Sequence, residues 1–263
     1  MIKISHEIPK DLFRYHDYIN DYPYLLAHLL LKEYHYDGEY AAFYKACVKR
    51  YKYSILDNSC FELGKPVEAE HLITLAKEYG VSHVVLPDAF RDCKETMRLA
   101  EENIPKLYGK SDAKLFAVLQ GQNIQEMLDC YDYYNSRPEI DIIGINFMRL
   151  PGSNNATRYD FFKTLLMVRH ITKKIHFLGC ENPGEFLQYK ASELENVFSI
   201  DTSSPIMNGW KGNRFTEKGL EQEKPKEKLA DNLDMALTET AMSNIAYNCR
   251  MFKKFVLDKP LCS

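Results

Sequence analysis

Residues 83–121 read HVVLPDAFRDCKETMRLAEENIPKLYGKSDAKLFAVLQG. The stretch opens on a short β-branched apolar run and closes on a second, L-F-A-V-L. Between them, residues 92–107 carry apolar side chains at three- and four-residue spacing, the period of a helix packed on one face. Strand, helix, strand is the unit of a parallel sheet. Each apolar run ends on a polar residue, Asp88 in one case and Gln120 in the other. In a parallel barrel both endings fall at one mouth, where the loops that follow the strands converge.

The pattern repeats outward. S-I-L-D-N-S ends at Asp57, D-I-I-G-I-N at Gly144, I-H-F-L-G-C at Gly179 and V-F-S-I-D at Asp201. Helical periodicity covers 67–79, 92–107, 123–135, 157–172 and 184–194 between these runs. Six strands are read directly, and closure with eight is an extrapolation. The fold class predicted is α/β, a single (β/α)8 TIM barrel spanning 1–263. An N-terminal portion, 1–52, holds a strand at 2–5 and tyrosine-rich helical segments around 22–33 and 39–50. The motif-bearing βα units occupy 53–210. Residues 208–228 turn polar and glycine-containing and read as a long loop or flap. A terminal helix is expected at about 231–256, with Leu233, Ala236, Leu237 and Ala241 on one face.

Composition narrows the class. A length of 263 residues suits one enzyme-sized domain. The formal net charge of -3 carries no global signature of a nucleic-acid binder, while leaving room for a local basic patch. No apolar stretch is long enough to span a bilayer. The opening M-I-K-I-S-H-E-I lacks the apolar core of a signal peptide, so a cytoplasmic location is expected, with no membrane partner. Seven cysteines are scattered without a C-x-C or C-x-x-C pair and read as free thiols. Cys60 and Cys180, beside the candidate site, are assigned no role. His170 and His176 fall in helical and strand patterns and read as structural. No metal and no cofactor is expected.

Three strand endings are aspartates. Alone, each reads first as a helix N-cap, because a carboxylate satisfies free backbone N–H groups there. As an ordered set at strand ends they read as chemistry. The set resembles the tRNA-guanine transglycosylases and their DNA-acting relatives. D-N-S-C-F, Asp57 to Phe61, is similar to that family's D-S-G-G-F/Y. Asp88 in V-L-P-D-A-F resembles its base-recognition aspartate, and L-Q-G-Q, with Gln120, its V-Q-G-G. I-G-I-N around Gly144 resembles the strand end whose backbone amide meets the base. L-G-C-E-N-P, Leu178 to Pro183, resembles M-G-V-G-x-P, and D-T-S-S-P, Asp201 to Pro205, resembles the nucleophile element D-C-V-x-P.

The resemblance implies a barrel enzyme that exchanges guanine in a polynucleotide for a free 7-deazaguanine base. Asp201 is then the nucleophile and Asp57 the proton shuttle or orienting group. Asp88, Gln120, Gly144, Phe61, Leu178 and Gly179 bind the base. The family's carboxyl-terminal zinc module is absent, and its arginines after the nucleophile's proline are replaced by Ile206 and Met207. Both departures point to DNA ahead of tRNA and to compact viral members, acting in a host cytoplasm. A homodimer is common in the family, though built partly on the missing module.

The chemistry stands independently of the resemblance. Base exchange without net hydrolysis is easiest through a covalent sugar–carboxylate intermediate, as in retaining glycosidases. A guanine-like edge needs an acceptor for two adjacent N–H groups and a donor for its carbonyl. Lys211, Arg214 and Trp210 follow the nucleophile element and are candidates for a polynucleotide backbone, as is K-R-Y-K-Y at 49–53. Their alternative reading is a solvated loop and a solvated helix end. E-Q-E-K-P-K-E-K reads as solvated without function. Two other functions remain open: a small-molecule (deoxy)ribosyltransferase or N-glycosidase, and a non-catalytic subunit of a transglycosylase.

Overall fold

The computed structural model describes every residue except Met148, Glu223, Lys224, Lys226 and 259–263. Cys262 and part of the E-Q-E-K-P-K-E-K run therefore lie outside the described residues. In chain order the elements are β1 (Lys3–His6), α1 (His16–Ile19), β2 (Tyr24–Leu26), α2 (Gly38–Cys47), β3 (Ile55–Asp57), α3 (Cys60–Leu63), α4 (Ala69–Tyr79) and β4 (His83–Val85). There follow α5 (Cys93–Leu107), β5 (Lys114–Leu119), α6 (Ile124–Asn135), β6 (Ile140–Asn146), α7 (Arg158–Val168), β7 (Lys174–Leu178), β8 (Val197–Thr202), α8 (Ser204–Trp210) and α9 (Glu239–Leu257). The strands belong to one sheet ordered β1-β8-β7-β6-β5-β4-β3-β2. Strand and helix alternate as in the (β/α)8 TIM barrel that the sequence predicts. The chain divides into two compact units, Tyr22–His176 and Met1–Asp21 together with Phe177–Ser263.

In the central unit, β2 to β6 pair in parallel, with Leu56 beside Val84, Val84 beside Leu115 and Val118 beside Gly144. Leu115 to Leu119 are all buried, as expected of a parallel strand covered on both faces. The helices bury one stripe each: Leu72, Leu75, Ala76 and Tyr79 on α4, and Ala100, Ile104 and Leu107 on α5. Asp37, Asp92, Asn123 and Thr157 cap α2, α5, α6 and α7 by accepting a backbone N–H. At the amino ends of the strands, Asp141 accepts from His83 (3.0 Å), Lys114 (3.3 Å) and Lys174 (2.9 Å). Burial alone would raise the Asp141 pKa, but these donors outweigh it and hold the carboxyl below the usual carboxylate range.

In the other unit, β1 pairs parallel with β8, which sets Ser5 beside Asp201 and His6 beside Thr202. Helices α8 and α9 approach closely at Gly209, where an added Cβ would lie 2.6 Å from the backbone nitrogen of Ile245. Asn248 of α9 donates to the Asn213 carbonyl at 2.9 Å and accepts from Phe215 N–H at 2.9 Å. This side chain ties the segment after α8 to the terminal helix.

Several expected boundaries differ. Residues 22–33 form β2 and a short 3-10 turn, Ala27–Leu29, in place of a helix. Tyr24, Leu25 and Leu26 are all buried, and periodicity cannot tell a doubly covered strand from a buried helix. Residues 184–194 form two 3-10 turns, Pro183–Gln188 and Ala191–Leu194. The three-residue spacing of Phe186 and Tyr189 brings both rings onto Phe177, which favours that tighter winding. Helix α7 stops at Val168 because Arg169 turns extended to pair with Asp132, so His170 lies in the irregular segment that follows. The terminal helix begins at Glu239, eight residues later than expected. Before it, a 3-10 turn spans Ala230–Asn232, the Leu233 carbonyl accepts from Lys10 N–H and Leu237 N–H donates to Asp11, so Leu233 and Leu237 bond outside any helix. The polar loop begins after Trp210, which closes α8.

Candidate functional site

Asp88 lies three residues beyond β4 and is 3 % exposed. Its two carboxyl oxygens are held from opposite sides, Oδ1 by the Asn58 carboxamide at 2.7 Å and Oδ2 by the Gln120 carboxamide at 2.5 Å. Each donor is fixed in turn. Asn58 also donates to the Leu86 carbonyl and accepts from Cys60 N–H at 2.8 Å. Gln120 Oε1 accepts from Arg91 N–H at 2.9 Å and lies 3.4 Å from the Asn146 carboxamide nitrogen. Burial raises the Asp88 pKa above the ordinary carboxylate value, against the pull of the two carboxamides. The result is a buried acceptor pair matched to adjacent N–H donors. A ligand bearing two such groups competes with Asn58 and Gln120 for the same oxygens.

Asp57 closes β3 and is half-buried. Tyr24 donates its hydroxyl to Oδ1 at 2.9 Å, and Ser59 N–H reaches Oδ2 at 2.8 Å. Tyr24 also stacks on His176, which meets Phe116 edge-on. Ser59 holds a left-handed conformation at φ +58 that L side chains rarely adopt. Its hydroxyl lies 3.1 Å from His28 N–H and 2.9 Å from the His28 ring, which fixes the turn. The Cys60 thiol sits against the Asp88 carbonyl, and burial, followed by the charges of Asp88 and Asp57, pushes its pKa up. Phe61 is 49 % exposed and lies near Phe90 and Phe147.

In the other unit Asp201, 4 % exposed, stands one residue before the end of β8. Its Oδ1 accepts from Gly179 N–H at 3.1 Å, and its carbonyl accepts from Cys180 N–H at 3.1 Å. Gly179 follows Leu178, the last residue of β7, and takes φ +59, which glycine adopts without strain. Thr202 donates to the Cys180 carbonyl at 2.6 Å and accepts from Ser204 N–H at 3.0 Å. The loop after β7 is thereby laced to the end of β8, and Asp201 is positioned by backbone.

The N-cap reading fails for Asp88 and Asp201. Their carboxyls serve Asn58, Gln120 and Gly179, while Asp92 and Ser203 occupy the cap positions of α5 and α8. Gly144 is not a strand end. It lies inside β6 opposite Val118, and the strand runs on to Asn146, because the run of buried residues from Ile142 continues through Ile145. The basic candidates are engaged internally. Lys211 pairs with Glu227 at 2.7 Å and lies over the Trp210 ring, while Arg214 donates to Asn244 at 2.7 Å and lies over Tyr247. Lys49, Arg50 and Lys52 precede β3, at the amino ends of the strands, away from Asp88 in that unit.

Asn58, Asn146 and Tyr24 were not singled out by the sequence, although Asn58 lies inside D-N-S-C-F and Asn146 ends I-G-I-N. No family model matches this chain, and no curated protein matches it.

Proposed function

We propose that the chain is a base-exchange glycosyltransferase that replaces guanine in a polynucleotide with a 7-deazaguanine base. The observation that carries the reading is the buried Asp88 carboxyl with a carboxamide on each oxygen. Ionised, it accepts from the ring N–H and exocyclic amine of a guanine edge, and the displaced Gln120 carboxamide turns to donate to the carbonyl. Asp201, held by Gly179 N–H, attacks the anomeric carbon as the base leaves, and the incoming base then displaces the carboxylate. Asp57 passes the proton between leaving and incoming bases. Exchange of labelled guanine into DNA and into tRNA tests the reading. Incorporation into one polymer, abolished in Asp201→Asn and in Asp88→Ala, is the expected result. Undiminished incorporation in Asp201→Asn contradicts it.

The internal pairing of Lys211 and Arg214 favours a second reading, a transferase for free nucleosides. Consumption of nucleoside without any incorporation into polymer distinguishes it. No helix among the described residues is long and apolar enough to cross a membrane.

A further inference from the structure

Phe61 and Phe90 are the phenylalanines among the exposed large apolar side chains of the described residues, at 49 % and 42 %. Phe61 lies on α3 and Phe90 in the loop after β4, yet their ring centroids lie 6.5 Å apart at 60°, with Phe147 6.3 Å from Phe61. Phe90 and Arg91 follow Asp88 with one residue, Ala89, between. Arg91 takes φ +60, a strained conformation for a long side chain, and its N–H is spent on Gln120. Its guanidinium carbon lies 5.4 Å from the centroid of the Phe90 ring. Its Nε is buried without a hydrogen-bond partner, and it forms no ion pair among the described residues. An exposed ring with an unneutralised guanidinium over it suits a ligand that is planar in one part and anionic in another.

We propose that Phe90 and Arg91 hold an unpaired nucleotide neighbouring the exchanged one, its base stacked on Phe90 and its phosphate on Arg91. The inference rests on the base-exchange reading and moves the polynucleotide contact from Lys211 and Arg214 to the loop after β4. Phe61, already assigned to the exchanged base, is tilted at 60° to that ring, 6.5 Å away. Stacking on an aromatic side chain tolerates any base and requires it to be unpaired. The chain therefore prefers single-stranded to duplex substrate. The strain at Arg91 pins the cation to the cluster, because the same residue orients Gln120.

The test is fluorescence anisotropy with labelled single-stranded DNA, single-stranded RNA and duplex 12-mers across a salt series. Phe90→Ala weakens single-strand binding about five- to a hundredfold. Arg91→Gly keeps the N–H for Gln120 and relieves the left-handed strain, and it lowers the salt slope by about 0.7, one phosphate on a single strand. Lys211→Gln and Arg214→Gln leave affinity and slope in place. Loss on Lys211→Gln or Arg214→Gln, with none on Phe90→Ala or Arg91→Gly, overturns the inference, as does tighter binding of duplex. Binding is read without exchange. Single-strand binding that depends on Phe90 and Arg91 therefore upholds this site even if no base is exchanged. Exchange with unaltered binding in both variants refutes the site alone.

Discussion

Asp88 shows how three residues that sequence inspection treats separately become one device. A carboxyl this deeply buried is disfavoured when ionised, and the carboxamides of Asn58 and Gln120 offset part of that cost. Removing a donor leaves an under-satisfied buried acceptor, at a cost of about 1–3 kcal/mol. Asn58→Ala therefore raises the Asp88 pKa further, read from its carboxyl carbon by NMR titration. An unchanged or lowered value contradicts the clamp. The sign carries over to ligand binding. Because the folded pKa lies above the unfolded value, ionised Asp88 weakens folding as pH rises, and a ligand that donates two N–H groups recovers that loss. Guanine affinity accordingly falls as pH drops through the raised pKa. Asp57, Asp88 and Asp201 stand out in the sequence because each closes an apolar run, although such a run does not always end with its strand, as Gly144 inside β6 shows. Asn58 and Asn146 were not, since a carboxamide in a loop has no spacing signature and is identified only by what it bonds.

Elements decide the outcome where pattern and packing disagree. The strand–helix rhythm from residue 53 to β7 was readable because the helices bury a stripe and the strands a run, whereas two 3-10 turns replace the helix expected before β8. The opening fifty residues were less legible, since β2 is three residues long and buried throughout. The late start of α9 was hidden as well, because Leu233 and Leu237 keep helical spacing while their backbone bonds to Lys10 and Asp11. Two predictions belong here. Gly209→Ala drives a methyl into the α9 backbone and costs about 1–3 kcal/mol, or more where the backbone must shift, lowering the melting temperature. An unchanged melt would show that the helices separate freely. Asp141→Asn breaks the network at the amino ends of β4 to β7. Asp141 has a depressed pKa, so its contribution is present above the ordinary carboxylate pKa and lost as pH falls below it. Urea titrations should show wild type converging on the variant only in acid.

At the scale of the whole molecule, the TIM-barrel architecture collects polar groups at the carboxyl ends of strands and leaves the amino ends to stability. Asp88 with its carboxamides and Asp201 with Gly179 each stand at carboxyl ends within their own unit, and the Asp141 network stands at amino ends. Stability also carries a pH signature from His6. Its ring is buried against Phe252, bonded to the Ile19 carbonyl and Asn20, and burial lowers its pKa to about 4. The neutral ring is favoured in the fold. Its contribution is present above about pH 6.5 and lost as pH falls towards 4, amounting to about 3 kcal/mol. Unfolding of His6→Asn between pH 7.5 and 4.5 should show a shallower decline than wild type. The central claim is that Asp201 forms a covalent bond to a nucleotide sugar. Denaturing gel electrophoresis after incubation with labelled DNA or RNA, each with and without a 7-deazaguanine base, tests it directly. The account predicts a protein–polymer band that survives denaturation with one polymer and disappears in Asp201→Asn. A band that persists in Asp201→Asn, or free nucleoside consumed while neither polymer is trapped, would contradict it.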